Sequence, residues 1–158
     1  MGKIIAGFPG VGKSYIKNNT DIYCHDSDSS VYSWKEKGVR NPDFPNNYIK
    51  HIKEVLNDWE GPDYMFVSTH AEVREALKSN GLPFTVVYPA ISLKAEYMQR
   101  YIDRGSPKGF IDLMSANWEM FIKGLELEEA YNENVIKLEA GQTLFDVVLY
   151  DRIIGDKK

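Results

Sequence analysis

Three features of the 158-residue chain predict an α/β protein built on a five-stranded parallel sheet flanked by helices. A complete phosphate-binding loop pattern, Gly7-Phe8-Pro9-Gly10-Val11-Gly12-Lys13-Ser14, stands between an apolar segment and a helix-forming one. Four further short apolar runs alternate with stretches of helical periodicity, as strands joined by crossover helices do. No internal repeat, low-complexity run or linker divides the sequence, so residues 1–158 are expected to form a single domain.

Lys3-Ile4-Ile5-Ala6 is short and apolar enough to be a buried parallel strand, which puts the loop where strand passes into helix. Glycine at 7, 10 and 12 lets backbone N–H groups wrap a phosphate chain with no Cβ in the way. Pro9 and Val11 complete the loop, and a phosphate held there is expected at a helix N-terminus. Lys13 would carry its ammonium to the β- and γ-phosphates, and Ser14 would offer its hydroxyl to Mg²⁺. ATP and Mg are therefore the expected ligands.

A helix over Ser14 to Asn19 is followed by a second strand, Asp21 to His25, that delivers Asp26-Ser27-Asp28-Ser29-Ser30 to the sheet edge where open α/β proteins bind ligands. Asp26 could hold Mg²⁺ through water or take the proton from an acceptor hydroxyl, and Asp28 could bind or orient the acceptor. The same residues also suit a solvated turn, with Asp28 or Ser30 capping the next helix. Ser30 to Lys37 is expected as a short helix closed by Gly38. Asn47 should start another, whose core face is Tyr48, Ile52, Val55, Leu56 and Trp59. In the proline-stiffened loop between them, Arg40 could fork onto a phosphate and Phe44 stack on a base. An ion pair and a packing ring are the alternatives.

Tyr64 to Ser68 is the third expected strand, bringing Ser68, Thr69 and His70 to the ligand edge before a helix over Ala71 to Asn80. Many phosphate-loop enzymes end the corresponding strand in a magnesium-binding Asp; none stands here, so the metal duty shifts to Asp26. His70 and Arg74 could touch acceptor or phosphate, or serve as a cap and an ion pair. The remaining pattern is a strand over Phe84 to Tyr88 and a helix over Leu93 to Arg104 with Leu93, Tyr97 and Tyr101 in one stripe. A long amphipathic helix within Phe110 to Ala130, a fifth strand over Asn134 to Leu138 and a helix over Thr143 to Arg152 follow. Arg100 and Arg104 share a helix face just before the Gly105-Ser106-Pro107 break. They could close onto phosphates as part of a lid, or be neutralised by Glu96 and Asp103.

Composition narrows the classes. With 43% hydrophobic and 27% charged residues the chain is neither disordered nor membranous in type, and no segment suits a bilayer span. Phe8-Pro9-Gly10 interrupts the first apolar run, which excludes a secretory core there, and Ala6 fails the Ser/Thr position of a myristoylation signal. A single cysteine, Cys24, excludes an internal disulfide and fits a reducing, cytoplasmic setting. A net charge of −4 and a pI near 5.4 argue against a sequence-independent grip on DNA.

At the phosphate loop, at Asp26-Ser27-Asp28, at the Asn41-to-Asn47 stretch and at the Arg100/Arg104 helix, the sequence resembles small P-loop kinases of the P-loop NTPase class. The nearest likeness is to the short nucleotide kinases that phages and prophages encode. This resemblance implies nucleoside-monophosphate-kinase architecture: a helical acceptor-binding insert at about residues 30–59 and an Arg-bearing lid at about residues 93–109. No Asp-Gly-Phe-Pro-Arg segment of the adenylate kinase kind is present. The Asp-x-Asp is similar instead to shikimate-kinase-like and polynucleotide-kinase-like enzymes.

The leading expectation is therefore phosphoryl transfer from Mg·ATP to a nucleoside or deoxynucleoside monophosphate, with Lys13, Asp26, Arg100 and Arg104 as catalytic residues. Phosphorylation of a hydroxyl on another small molecule or on nucleic acid is the second. A regulatory module that holds ATP without turnover is the third.

Overall fold

Ile4, Ile5 and Ala6 have no polar face to turn to water, and they form β1 (Ile4–Gly7), buried throughout. The computed structural model describes residues 4–27, 29–36, 38–132 and 134–156. After the loop come α1 (Lys13–Asn19) and β2 (Cys24–Asp26), then a single helical turn, α2 (Ser30–Ser33). β3 (Trp34–Glu36) and β4 (Val39–Arg40) pair as an antiparallel hairpin before α3 (Asn46–Asn57). β5 (Tyr64–Val67), α4 (Ala71–Ser79) and β6 (Phe84–Pro89) follow. A 3₁₀ turn at Ile91–Leu93 leads into α5 (Lys94–Asp103) and α6 (Lys108–Glu126). A second 3₁₀ turn, Leu127–Ala130, precedes β7 (Val135–Leu138) and α7 (Leu144–Asp156).

Five strands form one parallel sheet in the order β2-β5-β1-β6-β7. Ile4 sits between Met65 and Phe84, and the register is kept along β1 on both sides. β1 sends the chain towards β2 while its neighbour β6 sends it the opposite way to β7. Adjacent strands with diverging exits leave a crevice at their carboxyl ends, the place where open α/β sheets bind ligands. The phosphate-loop pattern starts at that crevice. Right-handed crossovers put α1 on one face and α3, α4 and α6 on the other. The packing of α1 on α7, α3 on α4 and α5 on α6 agrees.

One apolar core joins sheet and helices. Trp118 of α6 is its largest member; its indole N–H donates to the Ile91 carbonyl at 2.8 Å, and its ring meets Phe8 edge-on at 5.4 Å. Among the described residues, no helix is long and apolar enough to cross a membrane.

Two expectations are corrected. The helix over Ser30 to Lys37 is one turn only; Trp34 to Glu36 is extended and pairs with Val39–Arg40, while Lys37 lies outside the described residues. Gly38 closes the hairpin with φ +81°, a conformation that ends a helix and suits a tight turn. Trp59 is not core but 91% exposed. α3 stops at Asn57, and Asp58 turns to extended backbone, so Trp59 falls beyond the reach of the helical face. A smaller shift concerns β2, which contains Asp26 as its last residue instead of ending at His25.

Candidate active site

Gly10 and Gly12 adopt φ of +90° and +109°, values that a side-chain-bearing residue rarely takes. A Cβ on Gly10 would come within 3.0 Å of the Tyr101 ring, and one on Gly7 within 3.2 Å of Val11. The loop is thus a cradle that only glycine can line at these points. Val11 is buried; its N–H donates to the Phe8 carbonyl at 3.2 Å, and its carbonyl accepts from the Leu144 N–H at 2.8 Å. The Lys13 ammonium donates to the Gly7 carbonyl at 3.0 Å, which holds it at the base of the cradle. Ser14 is exposed in the first turn of α1.

α5 grips the outer side of the loop. The Tyr101 hydroxyl donates to the Pro9 carbonyl at 2.7 Å, and the Arg100 guanidinium donates to the Gly10 carbonyl at 2.8 Å. Two successive carbonyls are thus tied to α5, while the Val11 N–H donates to the Phe8 carbonyl and the Phe8 N–H to the Val87 carbonyl at 3.0 Å. Burial raises the Tyr101 phenol well above its usual range, so it remains a donor. Tyr97 crowds the same glycine, and its ring carries Arg100 at 4.3 Å. The periodicity of Tyr97 and Tyr101 marked both as core; the grip on the loop had no sequence signal beyond the hydroxyl each carries.

Arg100 also pairs with Glu96 at 3.1 Å, as the i,i+4 spacing suggested. Arg104 is exposed, lies over the Tyr101 and Phe110 rings and donates to Ser106 at 2.8 Å. Both guanidiniums are thus engaged by protein groups.

At the sheet edge, Asp26 ends β2 two strands from β1. Asp28 lies outside the described residues. Between the two, just after β5, the Ser68 hydroxyl is closed off from solvent and has no hydrogen-bond partner among the described residues. Such an atom costs stability unless something satisfies it. Thr85, Tyr97 and one Glu128 oxygen are in the same condition. Arg40 reaches Glu72 at 3.3 Å and lies over Trp34 at 5.0 Å and Phe44 at 5.7 Å, so the loop residues expected at the acceptor do cluster, with Trp34 added.

A cleft of about 550 Å³ opens beside the loop, between Phe8 and Pro9, the stretch from Thr69 to Arg74, and the apolar side of α6. His70 and Arg74 line it. Arg74 is engaged, however: it donates to the Thr69 carbonyl at 2.9 Å and pairs with Glu128, which Lys78 also reaches at 2.9 Å. Glu128 is only 4% exposed, a buried acid that the sequence did not mark out.

The loop fits a nucleoside triphosphate in its glycine conformations and in the lysine at its base. For a metal the donors are few. No group of three or more His, Cys, Asp or Glu side chains that could hold one occurs among the described residues. No protein-family model matches the chain, and no curated protein matches it.

Proposed function

We propose that the chain is a P-loop phosphotransferase of the small-kinase type, using Mg·ATP as donor. The observation that carries this reading is the loop from Gly7 to Ser14, whose glycine conformations, lysine position and outward-tied carbonyls suit a triphosphate at the carboxyl end of the central strand. Ser14 and Asp26 would hold Mg²⁺ together with the phosphate oxygens, and the ion supplies neutralisation of their charge. Lys13 exchanges the Gly7 carbonyl for the β- and γ-phosphates and stabilises charge as transfer proceeds. The acceptor oxygen bonds to the γ-phosphorus while the bond from that phosphorus to the β,γ-bridging oxygen breaks. ADP leaves with the electron pair. Where the acceptor is a hydroxyl, its proton passes to water.

Two acceptor classes are each favoured by an observation. A nucleoside or deoxynucleoside monophosphate, as the resemblance implies, would stack its base on Trp34 or Phe44 and offer its phosphate to Arg40. A hydroxyl on another small molecule is favoured by the cleft, where the one lining Arg or Lys among the described residues is already paired. ADP release measured with Mg·ATP against nucleotides, neutral alcohols, sugars and oligonucleotides tests the proposal. Mg-dependent ATP binding with no ADP release on any of them would favour a regulatory module instead.

A further inference from the structure

The cleft beside the loop has walls of two kinds. Phe8 and Pro9 of the phosphate loop close one side, and α6 closes the other with Phe110, Leu113, Met114, Phe121 and Leu125. These α6 residues recur at steps of three, four and seven, which places them on one helical face. Polar side chains are confined to the end built by Thr69, His70 and Arg74. The volume, about 550 Å³, lies within the range of small-molecule sites, about 300–1,000 Å³.

Charge decides what the cleft admits. Arg74 is the one Arg or Lys of the lining among the described residues, and drawing it onto a phosphate or carboxylate would strip Glu128 of a partner in a place where that carboxylate is almost fully buried. A ring of sugar hydroxyls would face carbon along α6 and lose its hydrogen bonds to water without replacement. An aromatic or branched aliphatic body meets neither penalty, and the rings of Phe8, Phe110 and Phe121 offer it contact.

We propose that this cleft takes the phosphoryl acceptor, and that the acceptor is an uncharged small molecule with an aromatic or branched aliphatic body and a hydroxyl group. The assignment rests on the phosphotransferase reading and chooses the second of its two acceptor classes. The body lies along α6 and the hydroxyl turns to the polar end, beside the loop residues that border both sites. Bonds and proton then follow the hydroxyl route given above.

The test uses the full chain and an uncharged fluorescent probe, N-phenyl-1-naphthylamine, with Mg-dependent mant-ATP binding measured in parallel. Gly124 lines the cleft, and a Cβ there would meet nothing within 4 Å, so Gly124→Leu projects an apolar side chain from an open position on its wall. The naphthylamine should bind the wild type, be displaced by 2-(1-naphthyl)ethanol but not by dTMP, and lose at least tenfold in affinity in Gly124→Leu. Mant-ATP affinity of that variant should stay within twofold, which also reports that it is folded. Equal naphthylamine binding in both proteins, no displacement by the alcohol, or displacement by dTMP would overturn the proposal while leaving ATP binding intact. Absence of mant-ATP binding in the wild type would instead bring down the phosphotransferase reading, and the acceptor role with it.

Discussion

Lys13 is the residue on which the proposed chemistry turns, and its position was the most legible of all because the loop pattern fixes it. Its removal deletes a cation at the transferring phosphate and little packing, since the side chain is only partly buried. Lys13→Ala is expected to lower ADP release by at least about a hundredfold, equivalent to about 2.7 kcal/mol, with a melting temperature close to wild type. Undiminished turnover in that variant would remove Lys13 from the mechanism. For His51 the sequence carries no signal. Its ring stacks on Tyr32 at 4.9 Å and lies 5.4 Å from His25. Burial first, then the His25 charge, lowers its pKa below the usual 6.5, with Glu54 opposing. The unfolded chain therefore binds this proton more readily than the folded one, so His51 costs nothing above pH 6.5 and destabilises as pH falls below it. The loss stops once the lowered folded pKa is passed. A thermal melt series between about pH 7 and 5 should show a shallower fall for His51→Gln than for wild type; identical slopes would assign the effect to other groups.

At the scale of elements, α5 was foreseen as a helix with a buried stripe, and so it is, but its polar ends were read as a lid. Sequence periodicity reports which face is buried; it does not report what the far end of a tyrosine meets across some ninety residues. Two experiments separate a brace from a lid. Tyr101→Phe keeps the ring and removes the bond to the Pro9 carbonyl, a change of about 1 kcal/mol in stability. If α5 shapes the loop, ATP affinity should weaken several-fold, and Arg100→Ala should do likewise. A lid would instead leave binding intact and lower kcat about tenfold, or about 1.4 kcal/mol in the barrier. The hairpin of β3 and β4 was missed for a different reason. A four-residue helix beside three- and two-residue strands is shorter than the window in which helical and alternating patterns can be told apart. Four of the five sheet strands are compact apolar runs without such ambiguity, whereas β2, Cys24–Asp26, is short and partly polar and its expected bounds shifted.

The molecule as a whole shows what no local pattern could: Arg74 and Lys78 of α4 converge on Glu128, beyond the end of α6, and tie two elements some fifty residues apart. Arg74→Ala strips that buried acid of one partner, and urea unfolding should show a loss of about 3 kcal/mol. A loss below about 0.5 kcal/mol would mean that Lys78 suffices. Strand order is the other global fact, since alternation predicts a parallel sheet without saying which strand is central. That centre has a consequence in time. Ile4 pairs with Met65 and Phe84, and Tyr101 holds Pro9, so during synthesis β1 lacks its first partner until Met65 has emerged, and the loop lacks its brace until Tyr101 has. At ribosomal speeds of about 5–20 residues per second, the nascent segment from Ile4 to Ala6 stays unpaired for on the order of ten seconds. Throughout that interval it is an apolar stretch open to chaperones, and the proposed ATP site forms only once β5, β6 and α5 have joined the loop.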